Sequence, residues 1–321
     1  MTPPFLPIEP HASHRIPRGA HVIAVEESGN PKGIPVVFLH GGPGSGCKPH
    51  HRTFFDPATY RIILVDQRGA GQSSPPGCLE ANTTIDLIED LEVIRSRLGL
   101  ERWVLFGGSW GATLALLYAE TYPKAVAGLI LRGCFLARQR DMDWFLGADG
   151  VRRLLGDVWF ETLVDYDRGD TLETLKTLHE ALTGKDELER RRVARAWEHW
   201  GTAVTLGAVS RPWVADHSVS ARVIQQARLE LHYAVHHYYI GENEILENIG
   251  QLIGIPTMIV HGRQDLVCPL ESSLTLHDAL PGSSLKIVEE GGHIAAGDQM
   301  VSALVEAALA MAHQLEKEFT R

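Results

Sequence analysis

Six short apolar runs, rich in β-branched residues, restrict what this chain can fold into more than any other feature. Each has the length of a strand buried on both faces, and most stop at Gly, Asp or His. Helical patterns lie between several of them. Alternation of strand and helix predicts an α/β fold, a parallel sheet with helices on both faces. The runs are Pro35–Leu39, Arg61–Val65, Trp103–Phe106, Gly128–Leu131, Pro256–Val260 and Leu285–Val288.

The strand pattern stops between about Phe135 and Gly250, where charged helical stretches replace it, and it resumes afterwards. We therefore predict one core made of residues 1–135 and 251–321, interrupted by an inserted helical cap at residues 136–250. In the alternative, a separate middle domain, the last two strands would lack a sheet to join. The length of 321 residues accommodates a large core with one insertion.

The first motif with chemical content is Gly107-Gly108-Ser109-Trp110-Gly111. It follows a predicted strand and opens an almost wholly apolar helix. A tight strand-to-helix turn needs glycine on either side of the serine, because backbone segments approach closely there. Such a turn holds the hydroxyl of Ser109 out of the sheet at a helix N-terminus, where the dipole favours a developing negative charge. The motif predicts a nucleophilic serine; a chance Gly–Ser turn is the alternative.

A second glycine-rich turn, HGGPG at residues 40–44, follows the first predicted parallel strand. It lets backbone N–H groups approach a reacting oxygen. We expect the N–H groups of Gly42 and Trp110 to form an oxyanion hole. A purely structural turn is the alternative, whereas a phosphate-binding loop would need Gly-Lys-Ser/Thr or a G-x-G-x-x-G pattern, and neither occurs here.

Asp265 and His293 follow the last two predicted strands, each in a glycine-containing turn. The order Ser109, Asp265, His293 along the chain is that of the α/β-hydrolase fold. In this arrangement His293 takes the proton of Ser109, and Asp265 orients the imidazole and stabilises its charged form. Asp66, after another strand, is a second candidate acid, but we interpret it as a residue that holds loops together.

Together these segments resemble the prolyl aminopeptidase (proline iminopeptidase) family. The resemblance rests on HGGPG, DQRGAGQS and GGSWG and runs from about Pro35 to the C-terminus. It implies a serine exopeptidase that releases N-terminal proline from small peptides, with no metal and no organic cofactor. An esterase or amidase of the same fold, with another acyl-group specificity, is the alternative. A non-enzymatic binding protein with the same fold is a third hypothesis, although all three triad residues are present.

The resemblance extends to the predicted cap. Glu230 matches a glutamate that binds the α-ammonium group of the substrate, and Phe135 and Phe145 match aromatic residues around the proline ring. Arg132 matches an arginine that braces the acidic pair. The simpler interpretations are that Glu230 lies on a solvated helix face and that the two phenylalanines are cap core.

One position departs from the family. A second ammonium-binding glutamate is expected directly after Trp200, but residue 201 is Gly. Glu198 lies three residues earlier, which puts it on the same face of a helix as residue 201. We expect Glu198 to contribute to amine binding, and we expect weaker amine recognition or a shifted substrate.

Composition and charge limit the partners and the cellular location that we expect for this protein. The net charge of −10 argues against nucleic acid or an anionic membrane as partner, since both attract positive surfaces. No run approaches the roughly 20 apolar residues of a membrane helix, and the N-terminus lacks the pattern of a signal peptide. The four cysteines are widely spaced, which favours free thiols and a cytoplasmic location. Cys268 follows Asp265 closely, so we expect a thiol near the site. The oligomeric state is not readable from the sequence.

Overall fold

A mostly parallel eight-stranded sheet forms the centre of the protein. The computed structural model describes residues 1–207 and 219–319. The strands are β1 (Ala12–Arg18), β2 (His21–Gly29), β3 (Ile34–Leu39), β4 (Tyr60–Asp66), β5 (Trp103–Ser109), β6 (Val126–Cys134), β7 (Thr257–Gly262) and β8 (Ser284–Val288). Their order is β1-β2-β4-β3-β5-β6-β7-β8, with β2 antiparallel to both neighbours and the other pairs parallel. The six predicted runs are β3 to β8, so the predicted sheet is confirmed.

The sequence did not predict the antiparallel hairpin of β1 and β2 at one edge of the sheet. Within β1 only Ile16 is buried, so the strand lacks an apolar run. β1 is an edge strand with one neighbour, and an edge exposes most of its side chains to solvent. The pairing of β2 with β4 extends the sheet beyond its parallel part.

Helices flank the sheet and fill the long connection between β6 and β7. In chain order the helices are α1 (Thr84–Arg97), α2 (Trp110–Thr121), α3 (Gln139–Leu146), α4 (Gly156–Thr162), α5 (Thr171–Thr183), α6 (Glu187–Leu206), α7 (Ala221–Val235), α8 (Glu244–Glu247), α9 (Leu270–Ala279) and α10 (Asp298–Phe319). Short 3-10 turns occur at Pro49–Phe54, Pro123–Ala125, Val151–Arg153, Val164–Tyr166, His237–Tyr239 and Ile249–Leu252.

Strand alternation divides the sheet into two buried faces. Leu39, Val65 and Leu105 belong to the core on the side of α1 and α2. Phe38 and Phe106, each one residue away from a member of that set, belong to a second core with α10. Successive side chains of a strand point to opposite faces, so the continuous apolar runs indicate helices on both sides.

Between β6 and β7 the described residues form helices and turns only, as predicted for the insertion. Helices α5, α6 and α7 pack against one another. Trp200 of α6 is fully buried, with its ring 5.1 Å from that of Trp159. The division of the chain at residues 136 and 250 stays a prediction. We refer to α3 to α8 as the cap helices.

Two further findings concern the chain as a whole. Within the described ranges, no helix is both long and apolar enough to cross a membrane. The four cysteines are free thiols, in agreement with their spacing.

Candidate active site

Ser109 lies on a strained turn between β5 and α2. Its backbone has φ +56° and ψ −125°, a conformation that non-glycine residues rarely adopt. A Cβ atom at Gly107 would lie 2.1 Å from the carbonyl oxygen of Gly111, and one at Gly111 would lie 2.0 Å from that of Leu39. Only glycine fits at both positions, so the motif read from the sequence follows from close backbone packing around Ser109.

Asp265 and His293 form a directly bonded pair on the loops after β7 and β8. The distance between Asp265 Oδ2 and His293 Nδ1 is 2.8 Å. The other carboxylate oxygen accepts the N–H groups of Val267 and Cys268, both at 2.9 Å. Burial opposes ionisation, but the charge and hydrogen bond of His293 outweigh it, so the pKa of Asp265 is lowered. An ionised carboxylate only accepts, so Nδ1 of His293 donates and Nε2 is left to take a proton.

A cavity of about 480 Å³ opens beside this acid–base pair. Ser109 and His293 both line it. Ser109 Oγ lies 3.9 Å from Cys268 Sγ, and the backbone of Cys268 binds Asp265. A Cβ atom at Gly133 would be 3.1 Å from Asp265 Oδ2 and 3.7 Å from His293 Nδ1. The end of β6 therefore lies against the acid–base pair.

The glycine-rich turn at residues 40–44 lies beside Ser109. Gly42 has φ +109° and lines the cavity, and a Cβ atom at Gly41 would lie 3.4 Å from that of Ser109. Trp110 is the first residue of α2, where backbone N–H groups lack partners within the helix. Gly42 therefore lines the same cavity as Ser109 and Trp110 directly follows it, while their role as oxyanion donors stays a prediction.

Gln67 links the two turns, a role that the sequence analysis did not identify. The indole Nε1 of Trp110 donates to Gln67 Oε1 at 2.9 Å, and Gln67 Nε2 donates to the carbonyl of His40 at 2.8 Å. Asp66 accepts the N–H groups of Cys47 and Gln72, at 2.6 and 2.7 Å. These contacts agree with the interpretation of Asp66 as a residue that connects loops.

Glu230 of α7 forms the polar part of the cavity on the side of the cap helices. Its carboxylate accepts the indole N–H of Trp197 at 2.6 Å and the amide of Gln226 at 2.8 Å. Both donors are neutral, and no ion pair to Glu230 occurs within the described part of the chain. Burial raises the pKa of Glu230, and the charge of Glu198 adds to this rise. Since burial disfavours the charged form, a cationic group placed beside this carboxylate would stabilise its charge.

Glu198 and Gly201 both line the same cavity from α6. Glu198 is exposed at its rim. A Cβ atom added at Gly201 would meet nothing within 4 Å. The structure therefore places Glu198 and Gly201 on one face of α6, and it leaves open space at Gly201.

The two predicted aromatic residues also line the cavity. Phe135 is buried, and its ring lies 4.9 Å from that of Tyr238. Phe145 packs on Trp197, at 5.8 Å between ring centroids. Tyr238 lines the cavity as well and was not predicted from the sequence.

Arg132 contacts the loop that carries His293. It is not among the lining residues, and its guanidinium donates to the backbone carbonyl of His293. A Cβ atom at Gly108 would lie 2.5 Å from this guanidinium. Arg132 therefore supports the histidine loop from behind the serine turn, and these contacts give no support to a role beside Glu198 or Glu230.

His261 was also missed. This fully buried residue lies 3.6 Å from Asp265 Oδ2, and its other ring nitrogen is 2.7 Å from Ser273 Oγ. As a buried histidine inside a strand it carries no local sequence signal. Among the described residues, including those around His261, no three His, Cys, Asp or Glu side chains are grouped so as to hold a metal ion.

Comparison with known proteins agrees with this geometry. Residues 34–298 match the family model of the α/β hydrolase fold. The crystal structure of VinJ aligns with a TM-score of 0.62 at 20% identity, covering 96% of this chain and 100% of that one. A putative lipase from Acinetobacter baumannii aligns with a TM-score of 0.60 at 16% identity, covering 96% and 92%. The fold and its site define an α/β hydrolase.

Relatives in sequence identify the family within the α/β hydrolases. A probable proline iminopeptidase from Leptolyngbya boryana is 42% identical over 308 residues, 94% of each chain. The proline iminopeptidase of Xylella fastidiosa is 42% identical over 89% of this chain and 91% of its own, and that of Arabidopsis thaliana is 42% identical over 91% and 77%. The chain belongs to the proline iminopeptidase family.

Proposed function

We propose that this protein is a serine exopeptidase that releases N-terminal proline from small peptides through an acyl-enzyme. One observation carries the proposal: a single cavity holds a serine on a strained turn and a half-buried carboxylate without a cationic partner among the described residues. The first group suits attack on a carbonyl, and the second suits a free α-ammonium group. The names of the relatives, proline iminopeptidases, support the same conclusion.

The reaction would begin with Ser109 Oγ attacking the carbonyl carbon of the first peptide bond, while Nε2 of His293 takes its proton. The N–H groups of Gly42 and Trp110 would stabilise the oxyanion of the tetrahedral intermediate. His293 then returns the proton to the leaving amine, the C–N bond breaks, and a prolyl ester of Ser109 remains. Water, activated by His293, hydrolyses this ester and frees proline.

Recognition of the substrate would come from the cap side of the cavity. The ammonium group of the N-terminal residue binds Glu230, with Glu198 contributing from the rim. Phe135 and Phe145 offer apolar surface to a pyrrolidine ring. An acylated N-terminus carries no positive charge, so it leaves Glu230 without a partner. This is the physical reason to expect cleavage only after a free terminal residue.

The experiment is a comparison of purified enzyme on prolyl amides and acetyl-prolyl amides with the same leaving group. We expect turnover of the free amine to exceed that of the blocked one by about tenfold or more, the effect of one lost charge-assisted hydrogen bond. Equal turnover of the two would contradict the amine site.

The open space at Gly201 supports a second candidate, an esterase or amidase of the same mechanism with another acyl group. Only one of the family's two glutamates is present, so amine recognition is a smaller part of the binding energy. Short-chain nitrophenyl esters distinguish the two. Ester turnover that greatly exceeds prolyl-amide turnover, normalised to the leaving group, would favour the esterase.

A cytoplasmic location is part of the proposal, supported by the free thiols of all four cysteines. Neither nucleic acid nor membrane is proposed as a partner, given the net charge of −10.

A further inference from the structure

The turn that follows α7 has an unusual backbone. His237, Tyr238 and Tyr239 have φ angles of 51°, 54° and 55°, three successive non-glycine residues in the left-handed region. The turn is closed by backbone hydrogen bonds from Tyr239 N to the carbonyl of His236 and from Ile240 N to that of His237. Left-handed residues with a side chain are disfavoured, so the surrounding structure has to hold each of them there.

The contacts of Tyr238 hold it on the side of the active site. Only 7% of the residue is exposed. Its ring stacks on Trp110, 5.5 Å between centroids with 29° between planes, and meets Phe135 edge-on at 4.9 Å. Its hydroxyl donates to Met142 Sδ at 3.3 Å, and its carbonyl accepts the hydroxyl of Thr84. The ring is therefore fixed by contacts on several sides.

Tyr239 has the same backbone conformation but faces away. Its hydroxyl lies 2.9 Å from His232 Nε2, and its ring stacks on His236 at 4.9 Å. It lines a different cavity, together with Glu120 and Asn248. The left-handed turn thus sends one tyrosine towards Ser109 and its neighbour towards another surface.

Tyr238 borders the space that an acyl group has to occupy. A substrate whose carbonyl carbon is at Ser109 and whose ammonium group is at Glu230 has its Cα and side chain between them. All three residues line one cavity. Burial raises the pKa of the Tyr238 hydroxyl, and the charge of Glu230 adds to the rise, which indicates that the phenol lies near that carboxylate.

We propose that Tyr238 determines specificity by limiting the size of the terminal side chain that the cavity accepts, a role that rests on the proposed function. Its ring gives a flat, fixed wall that matches a pyrrolidine ring. Because Trp110, Phe135 and Met142 hold it, the wall does not move aside for a larger side chain. In this proposal the strained turn has a function, because it positions the ring of Tyr238 at the cavity.

The test compares two matched variants, Tyr238→Gly and Tyr239→Gly. Both remove a phenol and both relieve a left-handed residue, but only the first opens the cavity at Ser109. The readout is the ratio of kcat/KM for leucyl amide to kcat/KM for prolyl amide, in which any loss of folded enzyme cancels. For Tyr238→Gly we expect this ratio to rise about tenfold or more, since pocket contacts of this size change specificity by that factor. For Tyr239→Gly we expect it to stay within about twofold of wild type.

An unchanged ratio in Tyr238→Gly, or an equal rise in both variants, would overturn the proposal. Should Tyr238→Gly fail to react with a fluorophosphonate probe and so prove misfolded, Tyr238→Leu gives the same test with more of the packing kept, and an unchanged ratio there overturns the proposal equally. Tyr238→Phe keeps the ring, so we expect it to keep the wild-type ratio of leucyl to prolyl amide turnover. A shift as large as that of Tyr238→Gly would show that the hydroxyl, and not the ring, determines specificity, and would contradict the proposal.

The same variants separate this inference from the proposed function. If wild-type enzyme hydrolyses other aminoacyl amides but no prolyl amide, the proline specificity fails. The ratio of leucyl to alanyl amide turnover in Tyr238→Gly then decides the size limit alone. A rise in that ratio supports the size limit set by Tyr238, and an unchanged ratio contradicts it.

Discussion

The two sides of the active-site cavity are built in different ways. On the Ser109 side, the proposed catalytic residues lie at the end of a strand or in the loop that follows one, and close backbone packing defines the turn at Ser109. On the Glu230 side, the groups come from cap helices far apart in sequence and depend on side-chain contacts such as that of Trp197 with Glu230. We therefore propose that the core supplies the chemistry and that the cap selects the substrate. This difference predicts that changes in the two regions have distinct kinetic effects.

The largest effect is expected for Ser109→Ala. In subtilisin, loss of the nucleophilic serine lowers kcat about a million-fold, and we expect a loss of this order here. The measurement is kcat on a prolyl amide, with covalent labelling by a fluorophosphonate. Cys268→Ala is the control, because Cys268 Sγ lies only 3.9 Å from Ser109 Oγ and yet has no assigned step. Labelling that persists in Ser109→Ala would contradict the assignment.

A smaller loss is expected for Asp265→Asn. The amide no longer imposes the productive tautomer on His293, and the corresponding change in a serine protease lowers kcat about 10⁴-fold. Asp66→Asn is the matched control, a buried acid after another strand that binds the backbone of Cys47 and Gln72. This variant should have a clearly lower Tm than wild type, whereas its kcat should stay far closer to the wild-type value than that of Asp265→Asn. Equal losses of kcat in the two variants would show that Asp265 is not distinct in function.

On the cap side, Gly201→Glu should improve recognition of the amine. The space at Gly201 admits a side chain without a clash at Cβ. A new charge-assisted hydrogen bond would lower KM for a prolyl amide by about tenfold. Gly201→Gln is the neutral control and should not reproduce this gain. A similar drop in KM for acetyl-prolyl amide would show that the new side chain acts by packing instead.

A pH dependence of KM is the smallest expected effect. Burial, with the charge of Glu198, raises the pKa of Glu230, so its carboxylate takes up a proton at a higher pH than an ordinary glutamate. Protonation removes the charge that binds the ammonium group. KM for prolyl amide should therefore rise as pH falls through this pKa, whereas KM for acetyl-prolyl amide should not. Parallel pH profiles for the two substrates would contradict the role of Glu230.

The same contrast explains how far the sequence could be read. The sequence could propose Ser109, Asp265 and His293 as a triad because each lies at or after the end of a strand, in a turn whose glycines leave a local pattern. Gly42 and Trp110 share that advantage. The edge strand β1 left no pattern, since Ile16 is its one buried residue.

The cap was harder because its contacts are not local. Glu230 was found through a family resemblance, but its partners Trp197 and Gln226 were not. Tyr238 reaches the cavity only because its backbone takes a left-handed conformation that propensity disfavours for tyrosine. Arg132 was proposed through the same resemblance, and its contact with the His293 carbonyl was not part of that prediction.

Glu230→Gln tests whether the core carries the chemistry and the cap the recognition of the substrate. Two quantities are measured in this variant: the rate of fluorophosphonate labelling at Ser109, and the ratio of kcat/KM for prolyl amide to that for acetyl-prolyl amide. We predict labelling close to the wild-type rate and a ratio that falls by about tenfold or more, as expected for one lost charge-assisted hydrogen bond. Labelling that falls as much as hydrolysis, or a ratio that stays at the wild-type value, would contradict this division between core and cap.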